Sequence, residues 1–167
     1  MKSISWVLLL ISMFAGLQRP QLSKDQQYFN FKKQCTAYLD AFAKSDAKSF
    51  VSFLYPNYVK NEGGEDSLIA ELTEGAENRA PGTIKLSMID SLSIYVYNNQ
   101  LQSVVTIAIE NWHWDVHSTG IRIDIAVSDD GGYSWKFIPA YEYNSKRANI
   151  NLSLAPEIKD ILAKNKN

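Results

Sequence analysis

At about residue 84 the apolar period of this chain changes from helical to alternating, and that change dictates the class of fold. Upstream, from Ser23 or Lys24 to Lys44, the residues Tyr28, Phe31, Cys35, Tyr38, Leu39 and Phe42 recur on one face of an α-helix. Ser45 and Asp46 offer capping oxygens for a second helix through Phe50, Val51, Phe53 and Leu54, and Tyr55-Pro56 stops it. Tyr58-Val59 reads as a short extended piece and Glu62-Gly63-Gly64 as a turn. A third helix spans about Glu65 to Asn78, with Leu68, Ile69, Leu72 and Ala76 inward, and Pro81-Gly82 ends it. Downstream, Ile84, Leu86 and Met88, then Leu92, Ile94 and Val96, alternate with polar partners. After an Asn98-Asn99 turn, strands follow over Leu101 to about Val116, Ile121 to Val127, and Tyr133 to Pro139, the last an edge or bulge because of its proline. A short amphipathic helix through Pro156, Ile158, Ile161 and Leu162 closes the chain. Helices followed by a meander of strands is an α+β order. The N-terminal helices are expected in the concave face of a curved antiparallel sheet.

The first stretch has another character. Lys2 precedes an uncharged apolar run from Ile4 to Ala15, closed by Ala15 and Gly16. That is the pattern of a secretory signal peptide, and the run is short of the 20 or so residues a membrane span needs. Residues 1–20 are therefore read as a leader cleaved near Ala15 to Gln18, an uncleaved anchor or a buried segment being the alternative. Residues 21–167 are read as one α+β domain, secreted or periplasmic, with no stable membrane span after processing. The formal net charge is −1, and the densest basic run is Lys146-Arg147, too little to hold a nucleic acid backbone. The single cysteine, Cys35, can form neither an internal disulfide nor a multi-cysteine zinc site.

The run Tyr38-Leu39-Asp40-Ala41-Phe42-Ala43-Lys44-Ser45-Asp46-Ala47, followed by Phe50-Val51-Ser52-Phe53-Leu54-Tyr55-Pro56-Asn57-Tyr58-Val59, resembles the opening of the nuclear transport factor two-like superfamily. Gly131-Gly132 ahead of Trp135-Lys136-Phe137-Ile138 resembles its closing hairpin. The likeness covers about residues 25–143. It implies a cone-shaped α+β fold shared by ketosteroid isomerases, polyketide cyclases and many binding domains. Isomerase chemistry in that superfamily needs an aspartate base, and Asn57 to Asn61 offers no carboxylate for it.

The densest chemical stretch is Asn111-Trp112-His113-Trp114-Asp115-Val116-His117, which holds both histidines of the chain. On one unbroken strand His113, Asp115 and His117 share a face and the tryptophans the other. Parity with Val105, Ile107 and Ile109 would put the polar trio on the core face. A turn at His117 to Gly120 with a bulge near Ile109 to Trp112 would bury Trp112 and Trp114 instead; a turn at Ser118 to Gly120 would not. Burying two indoles outweighs burying two imidazoles and a carboxylate, so a solvent-facing His/Asp patch over a tryptophan core is expected. Only two imidazoles exist and no third ligand beyond Asp115 is evident, so no metal and no cofactor is expected.

Ser128-Asp129-Asp130-Gly131-Gly132-Tyr133-Ser134-Trp135 matches the Asp-box pattern, which in a single copy specifies a tight hairpin and no glycosidase. The acids Glu62, Glu65, Asp66, Glu71, Glu74 and Glu77 read as a solvated helix face. No Gly-x-Ser-x-Gly elbow and no phosphate-cradling loop occurs. The expected role is an exported, non-enzymatic domain that holds a small apolar or amphiphilic ligand, lined by Tyr28, Tyr38, Phe42, Asn111, Trp112 and Trp114, or that self-associates as a homodimer. The alternative is a cyclase- or isomerase-like enzyme using His113, Asp115 or His117 as acid–base groups, with Tyr141 or Tyr143 as hydrogen-bond donor.

Overall fold

A computed structural model describes residues 22–77, 83–89, 93–113, 116–143 and 150–165, the side chain at position 113 excepted. The leader, Asn78, Pro81-Gly82, Leu92, Trp114, Asp115 and Lys146-Arg147 lie outside the described residues.

Four helices come first. Helix α1 spans Lys24–Ala43 and opens on a capping box, in which Ser23 Oγ accepts from the Gln26 amide while Gln26 Oε1 accepts from the Ser23 amide. Ser45, at a left-handed φ of 58°, ends it. Helix α2, Ala47–Phe53, is capped by Asp46, whose Oδ1 accepts from the Ser49 amide. The extended piece expected at Tyr58-Val59 is instead helical. Pro56 occupies the first turn of α3, Pro56–Asn61, where a missing N–H costs nothing, so the proline that stops α2 starts the next helix. Helix α4 covers Glu65–Glu77.

The sheet is antiparallel and curved, in the order β1-β3-β4-β5, with β2 on the same edge of β3 as β1. Its strands are β1, Ile84–Met88; β2, Tyr95–Tyr97; β3, Gln100–His113; β4, Val116–Ser128; and β5, Lys136–Pro139. The edge position of β5 agrees with its terminal proline. A single turn of helix, α5 (Ala140–Tyr143), follows, and α6 (Pro156–Lys164) closes the chain.

Helix α1 docks on one face of the sheet. Phe31 meets Trp135 edge-on at 5.0 Å, and the Tyr38 ring is stacked between Phe137 at 4.4 Å and Phe50 at 5.0 Å. Polar residues of the same helix fix its register on the Asp-box hairpin. Asn30 donates to the Gly132 carbonyl, and Gln34 both donates to the Tyr133 carbonyl and accepts from the Trp135 amide. The hairpin has the expected chemistry: Asp130 accepts from Ser128 Oγ, the Ser134 amide and Ser134 Oγ, and Gly131 and Gly132 hold positive φ. The C-terminal segment covers the other face. There, buried Gln102 donates to the Ser153 carbonyl and accepts from the Ala155 amide. The sheet is thus buried on both sides over residues 101–105 and 124–128.

Candidate functional site

The β3–β4 ladder decides which side chains face α1. It runs without a bulge from Leu101↔Ser128 to His113↔Val116. Leu101, Ser103, Val105, Ile107, Ile109 and Asn111 therefore share the α1-facing side with Ser128, Ala126, Asp124, Arg122, Gly120 and Ser118. This corrects both expected turns. His117 to Gly120 is strand, Gly120 pairs with Ile109, and the reversal falls between His113 and Val116. Trp112 consequently faces away from α1. It stays 46% exposed and stacks on His117, its directly opposite partner, with ring centroids 4.0 Å apart. Positions 113 and 117 fall on opposite faces of the ladder, and Asp115 lies outside the described residues.

Three other residues come together on the inner face. Tyr38, from the middle of α1, donates from its hydroxyl to Asp124 Oδ2 at 2.8 Å. Arg122 Nη2 donates to the same oxygen at 2.9 Å and to the Tyr38 oxygen at 3.2 Å. Asp124 is 0% exposed and the Arg122 side chain only slightly more open. The Arg122 guanidinium also lies over the Phe42 ring, 5.4 Å from its centroid. Two atoms of the cluster, Arg122 Nε and Asp124 Oδ1, are buried with no hydrogen-bond partner.

Burial raises the Asp124 carboxyl above its ordinary value, opposed by Arg122 and by the hydrogen bond from Tyr38. Burial, then the Asp124 charge, pushes the Tyr38 hydroxyl up, which keeps it a neutral donor. The same two causes, in the same order, push the Cys35 thiol up to about 12, so Cys35 is a packed thiol and not a nucleophile. Tyr141 lies within electrostatic reach of Arg122, Asp124 and Glu142, on the first turn after β5. Tyr143 donates to the Leu152 carbonyl at 3.2 Å, away from the cluster.

Beyond Arg122 the inner face opens. The next inward position of β4 is Gly120, where an added Cβ would meet nothing within 4 Å. Its φ is not positive, so neither a turn nor backbone strain requires glycine there. A glycine there leaves the strand position bare. Around it on the same face stand Ile109 and Asn111, with Leu86 opposite Ile109 on β1, all half-buried.

Of the residues expected to line a site, Tyr38 belongs to this cluster, Phe42 is beneath Arg122, and Asn111 is half-buried on the same face of the sheet. Tyr28 lies about 15 Å further up the helix and does not join them. It carries Lys32 over its ring instead. Arg122 and Asp124 escaped the sequence reading because they look like the outward half of an alternating strand. Among the described residues no cluster of His, Cys, Asp and Glu could hold a metal ion. No helix among them is long and apolar enough to cross a membrane.

No family model matches the chain, and no curated protein does. Solved structures do. An NTF2-like family protein from Streptomyces avermitilis, with a proposed dehydratase activity, aligns with a TM-score of 0.50 at 12% identity, over 69% of this chain and 93% of that one. The helical cell shape determining protein Pgp2 of Campylobacter jejuni aligns with a TM-score of 0.49 at 14% identity. That match covers 63% of this chain but only 37% of Pgp2. A protein of unknown function from Mycobacterium tuberculosis aligns with a TM-score of 0.47 at 12% identity, over 73% of each chain. At such identities the likeness is one of fold, and the chain has a nuclear transport factor two-like fold.

Proposed function

We propose that this chain is an exported binding domain for a small amphiphilic molecule, which lies over Gly120 with its polar end toward Tyr38, Asp124 and Arg122. The observation that carries this reading is the pair of buried, unpartnered polar atoms beside an open inner face. A core built for stability alone pairs such groups, because each one buried without a partner costs about 1–3 kcal/mol. A ligand that hydrogen-bonds them would recover that cost, and Leu86, Ile109 and Phe42 supply apolar surface for its body.

Gly120→Val tests the reading. Valine suits an extended strand, so the fold is expected to hold or gain stability. The added side chain fills the place assigned to the ligand. Native mass spectrometry of the purified chain is expected to show a small molecule retained by the original protein and absent from the variant. Equal retention by both would remove the site from Gly120. A second reading, proton-transfer catalysis, is favoured by the raised carboxyl of Asp124 next to a tyrosine hydroxyl. It predicts that Asp124→Asn keeps the ligand and stops its turnover.

A further inference from the structure

The two unpartnered atoms differ in kind. Arg122 Nε carries a hydrogen and can only donate, whereas Asp124 Oδ1 is an acceptor. The cluster they belong to is balanced in charge, one guanidinium against one carboxylate 2.9 Å away, with Tyr38 neutral between them. From this we infer that the site selects an uncharged head group that offers both an acceptor and a donor, an alcohol or a primary amide, on an apolar body. This rests on the binding reading above and names the ligand class for the same site.

The alternatives leave one atom worse off. A carboxylate head accepts from Arg122 but sets its charge against Asp124 and brings no donor for Oδ1. An ammonium head donates to Oδ1 but lies against the guanidinium and leaves Nε bare. With the internal pair already neutralised, neither ion gains a net attraction to offset its loss of water. The surroundings act the same way on anions: Glu142, Glu62 and Glu71 lie within electrostatic reach of Tyr58, and Glu142 and Glu62 also of Tyr141. An uncharged group that donates and accepts satisfies both atoms at once.

Four probes of one chain length separate these cases: octanol, octanamide, octanoate and octylamine, titrated into the full chain at neutral pH and followed by calorimetry or ligand-observed NMR. Octanol and octanamide are expected to bind about ten-fold or more tightly than either ion, a factor equivalent to about 1.4 kcal/mol. Asp124→Asn leaves the site with one net positive charge, and octanoate is then expected to bind at least as well as octanol. Arg122→Gln leaves one net negative charge, and octylamine is expected to gain in the same way. Octanoate or octylamine binding the original chain as tightly as octanol would overturn the head-group inference while the binding reading stands. Binding of none of the four would overturn the binding reading itself, and the inference with it. The original chain gives this ranking even if a variant fails to fold.

Discussion

Replacing Tyr38 by phenylalanine removes one oxygen and leaves the packing in place. The ring keeps its stacks with Phe137 and Phe50 at 4.4 and 5.0 Å. Asp124 Oδ2 keeps its 2.9 Å bond from Arg122 but loses the 2.8 Å bond from the phenol. A hydrogen bond to a charged acceptor contributes about 1.5–3 kcal/mol, so that is the expected loss of stability at pH 7. For a chain of 167 residues this corresponds to a fall in Tm of roughly 3–12 °C. The loss depends on pH in a defined direction. Burial lifts the folded Asp124 carboxyl above its ordinary value of 3.8, so the native state holds a proton there more readily than the unfolded chain does. The stability Asp124 contributes is fully present below that ordinary value and is lost as pH rises through the lifted one. The Tyr38 hydroxyl opposes the lift, so Tyr38→Phe raises the carboxyl further and its deficit grows with pH. With the carboxyl protonated, only a neutral hydrogen bond of about 0.5–1.5 kcal/mol is missing. Urea unfolding of both proteins at pH 7 and at pH 3, below the ordinary carboxyl value of 3.8, measures the two deficits. A deficit that is the same at both pH values, or larger at the lower one, would refute the assignment of Asp124 as a buried carboxylate held by Tyr38.

Gly132 holds φ at +98°, and an added Cβ would come within 2.8 Å of Gln27 Cγ and 3.3 Å of its Cα, so Gly132→Ala is expected to lose about 2–3 kcal/mol in urea unfolding. Gly131→Ala, in open space at φ +76°, is expected to lose only about 1 kcal/mol. Alkylation of Cys35 by iodoacetamide at pH 8 is expected to follow global unfolding, because the thiol is buried and its pKa stands at about 12. Replacing the cluster whole, by Arg122→Met and Asp124→Leu with Tyr38→Phe, is expected to leave stability unchanged or higher, whereas Asp124→Ala alone loses about 3–5 kcal/mol by stranding the guanidinium. The proposed export is tested by mass analysis of the chain recovered outside the cytoplasm, whose first residue is expected between Gly16 and Arg19.

The helices were legible because each of their signals is local. Ser23, Asp46 and the stripe from Phe31 to Tyr38 declare α1 and α2 within a few residues, and the Asp-box spells out its own turn. The site was not legible, for a reason that is also physical. Alternation shows which residues share a face but not which face is covered, and over residues 101–105 and 124–128 this sheet is covered on both. In β4 the run Ile121, Ile123, Ile125, Val127 reads as the buried half, with Arg122 and Asp124 as its solvated complement. That assignment assumes one wet face. The C-terminal segment, bonded to Gln102, takes the isoleucine side and leaves α1 to cover the other. Ala126 and Ser128 were the available signal, since their small size on the Asp124 parity suits close packing under a helix. The same ambiguity misplaced Gly120. As a turn residue it needed no further account, and only the ladder to Ile109 showed that it is a strand position left bare.

Along the inner face of β4 the residues change character in the order in which their cover thins. Ser128, Ala126 and Asp124 are fully buried, Arg122 is buried except at the edge of its side chain, and Gly120 is open. A carboxylate alone at the innermost of the last three places would be prohibitive to bury. With arginine two residues further out the pair becomes tolerable, because the guanidinium neutralises the charge from the side that still touches water. Two apolar residues would fill the same volume with less risk to stability, so folding does not account for the choice. Nor does it account for a strand glycine beside them, which weakens the strand and packs nothing. The two oddities adjoin, and the guest proposed above would account for both: the glycine would make room for it, and the ion pair would offer it a fixed donor and a fixed acceptor, held by Tyr38 from the helix and by Phe42 beneath the guanidinium.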